Sequence, residues 1–496
     1  MTVATAPPAI TPEEFRSTWE PQGWQLLIIG PTSTWRQEWG EWEAIRDIVQ
    51  NALDETEAYQ WGYDDQGLWI ADRGKGVQVA DFLLGPPKLK PAWARGKFGE
   101  GMKIASLALL RKGYRVHVES VGRELWMLFY KQSVGPGQFA DVLAALWKPN
   151  GYKYGTRFHI VGYTGSAFED HFVVNLPREA ILHQVPSPLH EPIRRWNLLI
   201  ASPPGRIYAR DIYMRDIQSP FSYSLWGFEL SPDRLAPKEE SAMWADIGRL
   251  WATVTDINLL ERFLGMVKRP PEEKTAESLS INMEPWAMGS EPVTRSRYVD
   301  FIAQQGFAWR EAWRRKFGDD ALIKTEDRWD GTVRHLGYYA VDIRWEVRDA
   351  LSRAIKTDTA LVRDSQERLR EAEIIPDIRL TSKQIAHLRL ARKISDTIFR
   401  YNRVAGVHAA VIPPASDRVR TAGLYGRTTK EVFIASDQLE QARNTVDTII
   451  HELAHHSSQA EDLSETHSQE LTRLAALVME QVSKGAFDEE LRGVEW

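Results

Sequence analysis

The chain of 496 residues contains no cysteine. Disulfide bonds, catalytic thiolates and cysteine-ligated metal centres are therefore excluded, and any zinc site must be built from histidine and carboxylate side chains. A chain without disulfides is also typical of a reducing compartment, so we expect the protein in the cytoplasm.

Long apolar runs and an excess of positive charge are missing as well. Nowhere do about 18 apolar residues follow one another, and the first residues, Met1 to Pro8, lack the basic start and apolar core of a signal peptide. We therefore expect no membrane span. The formal net charge of -6 gives no general attraction to nucleic acid. Local basic patches leave nucleic acid open as a partner, but it is not the expected one.

What the chain does contain is the composition of a folded protein with several cores. Hydrophobic residues make up 43% and charged residues 26%, as in soluble globular proteins, and the length suffices for about three domains. Helical and strand patterns together predict an α+β multidomain chain. Its predicted parts are a flexible tail at 1–19, an α+β domain at 20–165, a smaller α+β domain at 166–265, a linker at 266–292, a helical connector at 293–400 and a compact mixed domain at 401–496.

The most informative motif is His451-Glu452-Leu453-Ala454-His455, near the C-terminus. Two histidines four residues apart on a helix point the same way and can hold one zinc ion. The glutamate between them then lies where a general base should, to take a proton from water and return it to the leaving amine of a cleaved peptide bond. The motif is thus typical of a zinc metallopeptidase of the zincin type.

The segments around this motif predict its surroundings. Strand patterns at Val407–Ile412 and Glu431–Ala435 precede the helix. In zincins an edge strand lines the cleft and pairs with an extended substrate, and the segment Lys430–Ala435 is the candidate for that strand. His456 adjoins His455 but points about 100° away on the helix, so we predict a capping or surface residue.

A catalytic zinc site needs a third protein ligand and an open position for water. His467 is the predicted ligand, because the segment resembles the part of small zincins in which a histidine, soon followed by an apolar helix, closes the site. That helix is expected from about Glu465 to Val482. Glu470, as in gluzincins, and Asp462, as a ligand or as a residue that orients a ligand histidine, remain alternatives.

A second constellation is spread over three segments of the first domain. On a predicted helix, Glu43, Asp47 and Asn51 share one face with Asp54 beside them, and such a face suits a divalent cation. The second segment is a loop with one acidic residue and two glycines, which lets the backbone come close to a ligand. The third segment is the glycine-rich start of an apolar helix, where free backbone N–H groups can bind phosphate. The residues concerned are Asp72, Gly74 and Gly76 in the loop, and Gly96, Gly99, Gly101 and Lys103 at the helix start.

In this order and separation the segments resemble the ATP-binding domain of the GHKL, or Bergerat-fold, family of DNA gyrase, MutL, histidine kinases and large heat-shock chaperones. The resemblance covers residues 20–165 and implies a Bergerat-fold α/β sandwich that binds ATP with Mg²⁺. It implies that Asn51 holds Mg²⁺ and that Asp72 binds the adenine amino group. The other matched positions are the glycines of the two loops and a Gly-Thr before a strand, Gly155 and Thr156. Asp54 and Lys103 adjoin these positions and are included among the predicted ATP-binding residues.

The residue for ATP hydrolysis departs from the family pattern. Members that hydrolyse ATP usually carry glutamate four residues before the Mg²⁺ asparagine, where this chain has Asp47. Asp47 is the candidate base, but its shorter side chain favours slow turnover or a switch held by ATP. Glu43, one turn earlier, is the alternative. The domain at 166–265 resembles the transducer of gyrase and MutL, in which a lysine reaches the γ-phosphate; Lys238 is a candidate, although we expect a surface lysine there.

Together the two halves predict an ATP-regulated zinc metalloprotease, in which a GHKL domain controls hydrolysis at the His-Glu-x-x-His site. The expected partners are a protein or peptide substrate and, because GHKL domains commonly dimerise on ATP, a second copy of the chain. By analogy of domain combination, the protein would suit a bacterial or phage stress or immunity system. The alternatives are an ATP-driven chaperone or clamp with a structural zinc site, and a DNA-processing ATPase.

Overall fold

The computed structural model describes residues 8–56, 59–82, 101–165, 168–186, 195–231, 236–281, 283, 302–460, 462, 464–494 and 496. This part of the chain is mixed α+β, as predicted. The chain divides into two compact units, Met1–Glu239 and Glu240–Trp496. The domain limits derived from the sequence remain predictions. None of the described helices combines the length and the apolar composition needed to cross a membrane.

The first unit contains a large sheet with the order β2-β7-β6-β5-β8-β4-β3, and β1 lies beside β6. Strand β1 is parallel to β6, whereas the other pairs are antiparallel. Pairing of Ala71 with Arg157 brings the loop after β4 beside the start of β8. The strands are β1 (Ala9–Ile10), β2 (Gln25–Thr32), β3 (Gln60–Tyr63), β4 (Gly67–Ala71), β5 (Arg115–Ser120), β6 (Arg123–Gly135), β7 (Gln138–Pro149) and β8 (Thr156–Val161).

Helices pack against this sheet and close the main core of the first unit. After the short α1 (Pro12–Glu14), the long α2 (Glu41–Thr56) and α3 (Gly101–Arg111) contact each other. Both helices turn apolar faces toward the sheet. Burial of these faces contributes more to the stability of the helices than the intrinsic helix propensity of their residues does. The core residues of the two helices include Ile45, Ile48, Val49, Leu53, Ala105, Leu107, Ala108 and Leu109, all nearly or fully buried.

A second sheet completes the described part of the first unit. Its order is β12-β11-β13-β10-β9, and its small core includes Leu198, Ile200 and Tyr208. The strands are β9 (Ile181–Pro186), β10 (Arg195–Ile200), β11 (Arg206–Ala209), β12 (Ile212–Asp216) and β13 (Ser222–Leu225).

The second unit begins with helices and a short parallel pair of strands. Leu322 of β14 packs with Val333 and Leu336 at the end of α8 and with Leu361 of α10. The elements are α4 (Glu240–Ala252), α5 (Ile257–Val267), α6 (Ala276–Ser280), α7 (Gly306–Phe317), β14 (Ala321–Ile323), α8 (Asp330–His335), β15 (Tyr339–Val341), α9 (Trp345–Leu351) and α10 (Asp358–Leu369).

The C-terminal part of the second unit packs helices on a sheet of order β16-β17-β19-β18. The parallel pair β17 and β19 and the helix after them confirm the predicted strand, strand and helix order. The core contains Val432, Ile434, Ile449, Leu453 and Leu474. The elements are β16 (Glu373–Ile374), α11 (Ser382–Ile398), β17 (Gly406–Val411), β18 (Gly423–Gly426), β19 (Glu431–Ala435), α12 (Ala442–Ser458), α13 (Glu465–Ser483) and α14 (Asp488–Leu491).

The prediction that Lys430–Ala435 forms the edge strand is wrong. Strand β19 lies inside the sheet, because the segment Gly423–Gly426 forms a further strand, β18, antiparallel to it. Two glycines and the shortness of this segment give it little strand signal in the sequence. Among the described residues, β18 is therefore the edge on this side.

Candidate metal centre

Helix α12 presents His451 and His455 on one face, as their spacing predicts. Ile449 and Leu453 anchor the opposite side of the helix in the core. The helix ends at Ser458 and is capped by Gln459, whose N–H donates to the carbonyl of His455. The backbone of Gln459 is left-handed (φ 54°), which lets the chain leave the helix. The Nε2 atoms of the two histidines lie 3.3 Å apart.

His467 and Asp462 complete a group of four. Ser464 caps α13 by accepting a hydrogen bond from the N–H of His467 at 3.1 Å, which sets His467 in the first turn. Oδ1 of Asp462 lies 3.0 Å from Nε2 of His451, 3.1 Å from Nε2 of His455 and 3.9 Å from Nδ1 of His467. One donor atom from each residue lies within 4.8 Å of every other. These four side chains thus form a cluster that could hold a metal ion.

The spacing of the cluster fits the coordination geometry of zinc. Bonds of about 2.0–2.1 Å to a tetrahedral zinc ion separate neighbouring ligand atoms by about 3.4 Å. The distance of 3.3 Å between the two Nε2 atoms is close to this value. Nε2 of His467 is buried and has no hydrogen-bond partner among the described residues. A buried polar atom without a partner is costly, and a cation in the cluster would satisfy it.

Outer contacts orient the donor atoms. Nδ1 of His455 donates to the carbonyl of Ala460 at 2.9 Å, which leaves Nε2 as the ligand atom. On the far side of Asp462, Nε2 of His335 lies 3.5 Å from Oδ2. Sequence reasoning missed His335, because it belongs to α8, far from the motif, and no local pattern marks it.

The charges of the cluster shift one another's pKa values. The hydrogen bond with Asp462 raises the pKa of His451, and Asp462 and Glu452 also raise that of His455 against the opposing effect of burial. Burial alone would raise the pKa of Asp462, but hydrogen bonds from the two histidines hold it well below its usual range. Burial, followed by the charges of His455 and His451, lowers the pKa of His467. Metal binding requires an ionised Asp462 and neutral histidines, so a bound cation must displace the protons that the raised pKa values favour on His451 and His455.

Comparison with known proteins does not assign the cluster to a family. No model of a known protein family matches this chain, and no curated protein matches it. The cluster must therefore be interpreted from its own chemistry.

Glu452 lies beside the cluster in a buried position. Its side chain is 5% exposed, and burial raises its pKa to about 7 although the charges of His451 and His455 oppose this. The nearby backbone N–H of Tyr425, on β18, also opposes the rise in its pKa. A carboxyl group whose pKa lies near neutrality can both accept and return a proton near pH 7.

Gly423 allows β18 to approach Glu452 this closely. A Cβ at position 423 would lie 2.7 Å from Oε1 of Glu452 and 2.6 Å from Cγ2 of Thr448, closer than real Cβ contacts. The absence of a side chain at Gly423 is thus a condition for the contact between the edge strand and α12.

Two residues near the motif have other partners. Glu470 accepts hydrogen bonds from Ser457 and, at 2.8 and 2.6 Å, from Arg473, so it is the one candidate ligand outside the cluster. The prediction that His456 is a capping or surface residue is wrong. His456 is 3% exposed and hydrogen-bonded to the hydroxyl of Tyr425 at 2.9 Å and to a backbone carbonyl at 2.8 Å, because α12 turns this side toward the sheet.

In the first unit, the predicted cation-binding face of α2 meets the start of α3. Asp47 is 2% exposed and lies 3.2 Å from Nε of Arg46 in an ion pair. Asn51 donates from Nδ2 to the backbone carbonyl of Asp47 at 2.8 Å. Gly101 approaches the Asp47 carboxylate so closely that a Cβ would overlap it. Glu43 accepts from the N–H of Gly40 at 2.9 Å and thereby caps the beginning of α2.

The loop after β4 brings Asp72 and Thr156 together, two positions predicted from separate segments. Oδ1 of Asp72 accepts from the N–H groups of Gly74 at 2.7 Å and Thr156 at 3.3 Å. Gly155 has a positive φ of 64°, and a Cβ there would overlap the Asp72 carbonyl. Gly76 also has a positive φ, 79°, and lies beside Ser120. Burial raises the pKa of Asp72, and the two N–H groups oppose that effect.

The remaining predicted nucleotide residues have different environments. Gly96 and Gly99 lie outside the described residues. Lys103 is 3% exposed in the first turn of α3, and Asp54 lies in the last turns of α2. Lys238 is exposed and forms an ion pair at 3.1 Å, in agreement with a surface lysine.

Proposed function

We propose that this protein is a zinc-dependent peptidase whose activity is controlled by ATP bound in the first unit. The observation that carries the proposal is the convergence of His451, His455, His467 and Asp462 beside the buried carboxyl of Glu452. Three imidazoles and one carboxylate are donors that zinc accepts, and the chain has no thiolate to compete with them.

The residues around the cluster would supply the base and the substrate strand. A bound zinc ion would polarise the peptide carbonyl and acidify a water molecule. Glu452 would take a proton from that water and return it to the leaving amine, since it lies between the two motif histidines in the sequence and its carboxyl is buried beside the cluster. Within the described residues β18 pairs on one side only, so an extended peptide can add as a strand on the other.

We infer that the first unit binds ATP as a GHKL domain does. The support is the meeting of Asp72 with Thr156 and of the α2 face with Gly101. Asn51 would hold Mg²⁺, with Asp47 as the candidate base for hydrolysis. Because the Asp47 carboxylate is short and already paired with Arg46, we propose slow turnover, with bound ATP acting as the switch.

Cleavage of a peptide library tests the peptidase proposal. The full chain, loaded with one equivalent of zinc, is incubated with peptides of mixed sequence, with and without ATP and Mg²⁺, and products are identified by mass spectrometry. We expect cleavage that depends on zinc, stops on chelation and changes in rate with ATP. If neither the library nor the chain itself is cut in any of these states, the protein is not a peptidase.

A second candidate function is favoured by one specific observation. With Asp462 as a fourth donor, the cluster could be a closed site without room for water, as in structural zinc centres. The protein would then be an ATP-driven clamp or chaperone. In that case zinc would stabilise the fold, and replacement of Glu452 would change no activity.

The nucleotide proposal predicts a selective effect of Asp72→Asn. Oδ1 accepts two backbone hydrogen bonds, so the asparagine must keep its carbonyl there and turn its amide donor toward the adenine amino group. Loss of a charged acceptor, about 1.5–3 kcal/mol, weakens ATP binding by roughly 10- to 100-fold. Calorimetric titration with a non-hydrolysable ATP analogue measures this effect. The exposed Asp65→Asn is the control, and equal affinities for the two variants would remove Asp72 from the site.

The contact of Gly423 with Glu452 predicts that Gly423→Ala lowers peptidase activity. The new methyl group must displace Glu452 or β18. We expect roughly 10- to 100-fold slower peptide hydrolysis, the order of effect for a shift of about 1 Å in a catalytic group, and a loss of about 1–3 kcal/mol in stability. Kinetics, zinc content and urea unfolding are measured together. Gly151→Ala is the control, because a Cβ at this position would meet no atom within 4 Å. Full activity of Gly423→Ala would show that the contact is dispensable.

A further inference from the structure

His335 reaches the metal cluster from a part of the second unit that contains none of the four clustered residues. It is the last residue of α8, whose neighbours Val333 and Leu336 are buried in a small core with Leu322 and Leu361. This packing fixes the end of the helix, and with it the backbone that carries His335.

Two further contacts hold the end of α8. Ser416 donates from its hydroxyl to the carbonyl of Leu336 at 2.8 Å. Gly337 ends the helix with a positive φ of 81°, and its N–H donates to the carbonyl of Arg334 at 3.0 Å. The backbone that carries His335 is thus fixed by burial and by hydrogen bonds on both sides.

The two oxygens of Asp462 have different neighbours. Oδ1 faces the ring nitrogens of His451, His455 and His467. Oδ2 lies 3.5 Å from Nε2 of His335. His335 is not part of the four-residue cluster, and its side chain is 40% exposed, whereas that of His467 is 2% exposed. His335 therefore contacts Asp462, a candidate metal ligand, but its own ring nitrogens are not among the four donor atoms of the cluster.

We propose that His335 is a positioning residue: it holds Oδ2 of Asp462, so that this carboxylate offers only Oδ1 to the metal. The inference rests on the metal binding proposed above. A carboxylate can give a metal one oxygen or two, and an imidazole beside the second oxygen, as Nε2 of His335 lies 3.5 Å from Oδ2, favours one. A single oxygen leaves a further position for solvent or for a peptide carbonyl, since catalytic zinc can expand to five ligands. His335 thus decides whether a cluster with four donors is open to substrate.

Cobalt substitution tests this role independently of activity. Co²⁺ is added to the full-length protein, and its visible absorption, which weakens as the number of ligands rises, is recorded beside its affinity in competition with a chelator. The variants are His335→Ala, His335→Gln and His335→Asn. The amide of glutamine can reach the position of Nε2, whereas the shorter asparagine amide lies near that of Nδ1. Arg334→Ala, an exposed change on the same helix, is the control.

For His335→Ala and His335→Asn we expect bound Co²⁺ with weaker visible absorption, and zinc-dependent peptide hydrolysis lowered about 10- to 100-fold, the usual effect of an outer partner. His335→Gln is expected to restore both towards the wild-type values. Wild-type spectra in His335→Ala would overturn the role of His335 and leave the peptidase proposal standing. Failure of the wild-type protein to bind Co²⁺ or zinc would overturn both. Loss of Co²⁺ binding in both His335→Ala and His335→Gln, with Arg334→Ala unaffected, would make His335 a ligand and also overturn the positioning role.

Discussion

Replacing Glu452 with glutamine will leave zinc bound and slow peptide hydrolysis by roughly 100- to 10,000-fold, the range that a general base contributes. Glutamine keeps the size of the side chain, so the close contact with β18 at Gly423 survives. It cannot take a proton from water. Initial rates on a cleaved peptide, with zinc content measured on the same samples, give the result.

The control for this variant is Glu480→Gln, the same chemical change at an exposed site on α13. It should match the wild-type protein in rate and zinc content. Equal rates for Glu452→Gln and wild type would exclude Glu452 as the base. If zinc nonetheless raised the melting temperature of both proteins, the closed structural site would be the better description of the cluster.

Replacing His467 with alanine will lower zinc affinity by more than about 100-fold. Loss of a residue that only orients a metal ligand lowers metal affinity by roughly 10- to 100-fold, and loss of a direct ligand should lower it further. If the wild-type protein binds zinc as proposed, free zinc at about 100 times the dissociation constant should stabilise its fold by about 2.7 kcal/mol. At the same zinc concentration the variant should show almost no such gain. Chelator competition and thermal unfolding with and without zinc measure both quantities.

Glu470→Ala is the matched control, because Glu470 was a candidate ligand from the sequence but pairs with Arg473 in the structure. Its zinc affinity should equal that of the wild-type protein, with at most about 1 kcal/mol lost from the surface ion pair. A wild-type affinity in His467→Ala together with a collapse in Glu470→Ala would reverse the assignment. It would also show that the ligand set differs from the cluster described above.

Much of the cluster's local structure was predictable from the sequence. The spacing of His451 and His455 needs only helical periodicity, and the buried residues of α12 follow the apolar pattern around it. The neighbouring elements Gly406–Val411, Glu431–Ala435 and Glu465–Ser483 agree with the predicted segments to within one residue at each end. Such features depend on residues a few positions apart, whose relative placement the backbone geometry sets.

The third ligand was not predictable to a single residue. His467, Glu470 and Asp462 all follow the motif at distances that a short loop and one helical turn can cover. The cap at Ser464 turns His467 inward, while Arg473 holds Glu470 away. Asp462 also enters the group, so two of the three candidate residues lie in the cluster. Each outcome depends on the partner that a side chain finds after packing.

The sequence by itself determined the motif residues, their shared helix face, the absence of any thiolate ligand and the resemblance of residues 20–165 to an ATP-binding domain. Only the tertiary structure decided that β18 is the edge strand, that Glu452 is buried against Gly423, and that His335 reaches Asp462. The physical reason is the range of the interactions. Helical and strand periodicity act between residues close in the chain, whereas burial, the environment of a carboxyl and the convergence of ligands depend on segments that meet only when the chain packs.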